Sequence, residues 1–147
     1  MIRIRPSTPA DGDRAVEIWR DAVDATHDFL TAEDRIVIGE EVKDFLPQAP
    51  LWLAVDADDR PAGFMLLDGN SMEALFIDPA HRGTGVGRAL VAHAIGLHGA
   101  ITTEVNEQNC QAVGFYQRMG FVAAGRSERD GQGRPYPLIH LRFTPQD

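Results

Sequence analysis

The stretch MEALFIDPAHRGTGVGRALVAHAIGL, Met72–Leu97, decides how this chain is read. Met72–Ile77 is a short apolar run suited to a buried strand. Asp78-Pro79 stops it. Arg82-Gly83-Thr84-Gly85-Val86-Gly87 then sets glycines at alternate positions, and Val86, Leu90, Ala94 and Leu97 follow at helical spacing. The order is strand, glycine-rich turn, helix. The first turn of a helix carries N–H groups without partners and the positive end of the helix dipole. Glycines let a diphosphate approach those groups because no Cβ stands in the way. A phosphate-bearing cofactor is one reading of the loop, and a plain strand-to-helix turn is the other.

Spacing narrows the cofactor reading. The loop is not GxxxxGK[ST], and Arg88 stands where GxGxxG needs a glycine. No acidic residue follows about 20 residues on at a strand end, as dinucleotide binding would need. What remains is Arg-x-x-Gly-x-Gly, as Arg82, Gly85 and Gly87, after a strand ending Ile77-Asp78-Pro79. That resembles the acetyl-CoA signature of the GCN5-related N-acetyltransferases.

The rest of the chain fits the resemblance. Ile2–Arg5 alternates and predicts an opening strand. Thr8-Pro9-Ala10-Asp11 starts a helix with Val16, Trp19 and Val23 inward, ending near Ala25. Thr31-Ala32-Glu33-Asp34 starts a second helix, running to about Leu46, with Val42, Phe45 and Leu46 inward. Leu51–Val55 and Pro61–Leu67 predict a hairpin. After the organising segment come a strand at Ile101–Val105 and a helix at Asn109–Met119 with Gly120 at its C′ position. Strands from Val122 and over Leu138–Phe143 close the sheet. The expected fold is α/β (α+β), order β-α-α-β-β-β-α-β-α-β-β, a mixed sheet of about 6–7 strands with helices on both faces. The strand–helix–strand unit around the loop is a parallel crossover. The 147 residues predict one domain, 1–147.

Composition sets bounds. Fourteen Lys and Arg against 22 Asp and Glu give a net charge of −8, which disfavours a phosphate-backbone binder and favours a basic acceptor. A single cysteine, Cys110, excludes an internal disulfide and fits a reducing cytoplasm. With that charge no nucleic-acid partner is expected, and with no export signal or apolar run of membrane-spanning length no membrane partner is expected. The histidines form no metal pattern, and no metal is expected.

What the resemblance implies about the chemistry can be placed residue by residue. The amides of Gly83, Thr84, Gly85, Val86, Gly87 and Arg88, after Arg82, would hold the diphosphate of acetyl-CoA. The backbone of Leu75, Phe76 and Ile77 would pair with the pantetheine arm, and an N–H there would hold the thioester oxygen. The cofactor would lie in the V between the Met72–Ile77 and Ile101–Val105 strands. Asn109-Cys110-Gln111-Ala112, followed by Phe115-Tyr116-Gln117-Arg118-Met119-Gly120-Phe121, is similar to a second signature of the family. By it, Asn109 bonds the pantetheine amides, a role compatible with helix capping. Tyr116 would be the general acid, since a phenol with a pKa of about 10 is protonated at neutral pH. Cys110 sits where a thiolate would be stabilised, but the family transfers the acetyl group directly in a ternary complex.

The base is Glu73 or His27. Glu73 could act through water if partial burial raises its pKa, and a sheet-face salt bridge is an equal reading of it. His27 titrates near neutrality. Thr26-His27-Asp28-Phe29-Leu30 and Gly125-Arg126-Ser127-Glu128 with Gly133-Arg134-Pro135-Tyr136 resemble one bacterial branch of the family, the YjaB-like acetyltransferases. His27, Phe29 and Tyr136 are therefore the acceptor-site candidates. The expected activity is acetyl transfer from CoA to a primary amine, on a small molecule or a peptide, by a monomer or homodimer. Two other functions sit on the same fold: a non-catalytic acyl-CoA-binding or regulatory protein, and a toxin acetylating aminoacyl-tRNA. Tyr116 argues against the first. The acidic balance argues against the second.

Overall fold

A computed structural model describes residues 2–26 and 28–145 of the chain. The elements are β1 (Arg3–Pro6), α1 (Gly12–Thr26), α2 (Ala32–Phe45), β2 (Trp52–Val55), β3 (Pro61–Asp68), β4 (Ser71–Ile77), α3 (Val86–His98), β5 (Ile101–Asn106), α4 (Cys110–Arg118), β6 (Val122–Ser127) and β7 (Leu138–Phe143). The strands form a seven-stranded sheet in the order β1-β2-β3-β4-β5-β7-β6. The β4–β5 pair is parallel, as a helical crossover requires. The order and type of elements are those expected from the sequence.

Packing divides the chain into two compact units. One holds the chain up to Leu66 together with Ala74–His93; the other holds Leu67–Glu73 and the chain from Ala94 onward.

In the first unit, α1 supplies the core. Ala15, Ile18, Trp19 and Val23 pack with Leu51, Leu53, Val55 and Phe64 from the hairpin. Side chains alternate across a strand, so Gly63 faces away from Phe64. There Val86, the first residue of α3, approaches so closely that a Cβ on Gly63 would lie 2.8 Å from its Cγ1. Helices thus cover both faces of β2–β3. The start of α1 is pinned by Asp11, whose carboxylate accepts the Thr8 N–H at 2.8 Å and both terminal nitrogens of Arg5 at 3.0 and 3.1 Å. The hydrogen bond from Arg5 draws the Asp11 carboxyl down to about 2.

Two inward assignments from the sequence are corrected. Phe45 is 53% exposed and Leu97 is 49% exposed. In α2 the inward stripe steps by four residues, through Ile38, Val42 and Leu46, and Phe45 falls off it. In α3 the stripe is Val86, Leu90 and Ala94, and Leu97 lies beyond it in the last turn.

In the second unit, β5 alternates strictly. Ile101, Thr103 and Val105 are buried, while Thr102 and Glu104 face out. Helix α4 ends as the glycine predicts. Gly120 has φ +98°, its N–H donates to the Gln117 carbonyl at 3.1 Å, and the Phe121 N–H reaches the Tyr116 carbonyl at 3.0 Å. That double closure turns the chain so that Phe121 packs edge-on to Tyr116 and tilted against Phe143, at centroid distances of 5.3 and 5.6 Å.

Candidate active site

The glycine loop is built by backbone conformation. Asp78 ends β4 and caps a short turn by accepting the Ala80 N–H at 3.0 Å. Arg14 holds the same carboxylate at 2.6 Å. Two further bonds close the loop, from Arg82 N–H to the Pro79 carbonyl and from Thr84 N–H to the His81 carbonyl, both 3.3 Å. Gly83 and Gly85 then take φ +76° and +89°, a region that costs other residues about 1–2 kcal/mol. A Cβ on either would point into open space. The first α3 bond runs from Ala89 N–H to the Gly85 carbonyl at 2.9 Å. The N–H groups of Gly83, Gly85, Val86, Gly87 and Arg88 donate to no such carbonyl among the described residues.

This fits a diphosphate on chemical grounds. Five consecutive or near-consecutive donors lie free at a helix N-terminus, with a smooth cradle before them. Arg82 and Arg88 are exposed and, among the described residues, form no ion pair. A pocket of about 200 Å³ lies against the same loop, lined in part by Asp56, His81, Thr84 and Val86. The Asp56 carboxylate on its wall makes it unsuited to phosphate. Leu75, Phe76 and Ile77 are half-buried in the strand that feeds the loop, and Phe76 packs on Phe64 with centroids 5.6 Å apart.

The second unit holds most of the side-chain candidates. Asn109 is buried and caps α4, its Oδ1 accepting the Ala112 N–H at 3.2 Å. Tyr116 is buried under Phe115 and Phe121, both in edge contact with its ring. Its hydroxyl is hydrogen-bonded to Thr103, whose own hydroxyl donates to the Met72 carbonyl at 2.8 Å. Burial pushes the Tyr116 hydroxyl well above its ordinary value, and the Thr103 hydrogen bond partly opposes the rise. The phenol therefore stays protonated throughout the neutral range.

The remaining candidates fall as follows. Glu73 is exposed and accepts the Ser71 hydroxyl at 3.2 Å, so the partial burial invoked for a basic carboxylate is absent from this structure. Tyr136 is buried, and Phe29 is half-buried in the turn between α1 and α2. His27 lies outside the described residues. Cys110 is exposed at the first position of α4. No group of three or more potential metal ligands, and no helix long and apolar enough to cross a membrane, occurs among the described residues.

Sequence reading missed two supporting residues. Gly63 lets the start of α3 approach the sheet; a glycine inside a strand is the signal that could have found it. Thr103 holds the Tyr116 hydroxyl, and nothing local in the sequence marks a partner that distant.

Residues 26–136 match the family described as the acetyltransferase (GNAT) domain. The chain is 57% identical over 143 residues to the peptidyl-lysine N-acetyltransferase YjaB of Salmonella typhimurium, covering 97% of this chain and 99% of that one. The solution structure of apo-form YjaB from Escherichia coli superposes with a TM-score of 0.95 at 55% identity, over 99% of each chain. The PaiA N-acetyltransferase of Thermoplasma acidophilum, solved in complex with coenzyme A, shares the fold alone, at 18% identity, a TM-score of 0.79 and 99% of each chain.

Proposed function

The chain belongs to the GNAT acetyltransferase family, and on that premise we propose that it moves the acetyl group of acetyl-CoA to the Nε of a lysine in a peptide or protein. The observation that carries the cofactor is the glycine cradle with its free amides and two unpaired arginines. The lysine acceptor rests on the relative named for peptidyl-lysine, which is similar over nearly its whole length. The net charge of −8 supports a basic acceptor in the same sense.

Acetyl-CoA supplies a carbonyl already activated as a thioester. The N–H groups of Gly83, Gly85, Val86, Gly87 and Arg88 bind the diphosphate, and Arg82 and Arg88 neutralise its charge. The backbone of Leu75–Ile77 and the Asn109 amide hold the pantetheine arm. An N–H of that strand donates to the thioester oxygen as negative charge grows on it. Tyr116 gives its proton to the departing sulfur, and the Thr103 hydroxyl then turns to donate to the phenolate. Thr103 is thus the positioning residue that eases a proton loss burial would otherwise oppose. The ammonium proton leaves through Glu73, by way of water, or through His27.

The test is a lysine-containing peptide, blocked at its N-terminus, incubated with acetyl-CoA. Free CoA thiol should appear in step with an acetylated lysine identified by fragmentation mass spectrometry. Cofactor binding by calorimetry without peptide modification would overturn the lysine assignment. Absence of binding by the folded protein would overturn the cofactor as well.

A further inference from the structure

The second unit brings a serine, a histidine and a glutamate into one line across neighbouring strands. The Ser127 Oγ on β6 lies 2.6 Å from Nε2 of His140 on β7. The Nδ1 of the same ring lies 3.3 Å from the Glu104 carboxylate on β5. Glu104 and His140 are directly paired in the β5–β7 ladder. In the tautomer that carries its proton on Nδ1, on the Glu104 side, the lone pair of Nε2 faces the serine hydroxyl. That tautomer is the one in which the ring can take a proton from Ser127.

The register produces this arrangement. The β6–β7 pairing shifts between Ala123 and Gly125, so that Gly125, not Ala124, stands opposite His140. Without that extra residue the alternation would turn Arg126 toward His140 and Ser127 away from it. The shift also puts a glycine beside the ring, where a Cβ would stand in ordinary contact with it, 3.6 Å from Cδ2. On this face Thr102 and Arg142 are the next pair along the strands. Thr103, which holds Tyr116, is the neighbour of Glu104 on β5 and so faces the opposite side. The line therefore stands apart from the chemistry assigned to Tyr116.

We propose that Ser127, His140 and Glu104 form a second nucleophilic site, which cleaves small activated carboxylic esters through an acyl-serine. Ser127 Oγ bonds to the ester carbonyl carbon as the bond to the leaving oxygen breaks. Its proton passes to His140 Nε2 and from there to the leaving alcohol. Water, losing a proton to the same nitrogen, then releases the carboxylic acid and restores Ser127. Glu104 takes no proton; it is a positioning residue that holds the ring and stabilises the imidazolium. β6 is the edge of the sheet, so outward N–H groups on that strand are free to donate to the ester oxygen.

The experiment uses the full chain with p-nitrophenyl acetate and, separately, a fluorophosphonate probe followed by peptide mapping. The wild type should release p-nitrophenolate with saturation and carry the phosphonyl group on Ser127. Ser127→Ala should lose the label and roughly tenfold or more of kcat, while acetyl transfer to lysine peptide continues. Glu104→Gln, a substitution at an exposed position, should lower kcat and leave KM in place, which loss of structure alone would not do. It also decides the matter if Ser127→Ala fails to fold. Labelling elsewhere, or hydrolysis equal in the wild type and Glu104→Gln, would overturn the proposal. Neither result would touch the acetyltransferase reading.

Discussion

In the proposed reaction the glycine loop and helix α4 serve in opposite ways. The loop acts through backbone: five free N–H groups, two positive φ angles and the absence of Cβ atoms. Helix α4 offers side chains: a buried phenol beside one threonine, and a capping asparagine. A backbone site tolerates changed neighbours and fails when bulk or charge enters it. A side-chain site keeps its shape and its ligand, yet fails on the loss of one oxygen. Substitutions can be ranked by this contrast.

The largest effect belongs to the loop. Gly85→Glu places a Cβ on a residue with φ +89° and a negative charge beside the diphosphate. Acetyl-CoA affinity measured by calorimetry should fall on the order of a hundredfold or more, about 2.7 kcal/mol. Unchanged affinity in a folded variant would move the cofactor off the cradle. Next is Tyr116→Phe, which preserves the stacking on Phe115 and Phe121. Turnover should drop about a hundredfold while cofactor affinity stays put. If kcat is retained, the acid is another group, and α4 is structural after all.

A smaller effect tests the polar pair inside α4's contact with β5. Thr103→Val keeps the shape and suits a strand, but leaves the Tyr116 hydroxyl and the Met72 carbonyl without their partner. Urea unfolding should register a loss of about 1–3 kcal/mol, the penalty for stranded buried groups. Turnover should fall as well, because no hydroxyl remains to stabilise the phenolate. Equal stability in the two proteins would mean that water replaces the threonine.

The same contrast explains what could be seen in the sequence. The loop was legible because backbone chemistry leaves a local mark: glycines at fixed spacing between a strand and a helix. The Asn109 cap and the Gly120 stop were legible for the same reason. Phe45 and Leu97 were misplaced because helical period gives a face without giving the width of the surface it meets. Thr103, Gly63 and the Ser127–His140–Glu104 line depend on partners far along the chain. The last depends further on a single-residue shift between β6 and β7, which reverses the facing of every residue after it. No local pattern announces such a shift.

Asn109 is where the two modes meet, and it offers the finest discrimination. Its Oδ1 already caps α4, while its amide nitrogen is the group assigned to the pantetheine arm. Asn109→Ala should cost about 1 kcal/mol of stability through the lost cap. Asn109→Ser should restore most of that, since serine caps well, but its shorter hydroxyl cannot extend an amide donor beyond the helix end. If the asparagine serves the cofactor, the serine variant will melt like the wild type and bind acetyl-CoA several-fold more weakly. If it serves the helix alone, the serine variant will match the wild type in both measurements, and α4 will be left with Tyr116 as its one contribution to the chemistry.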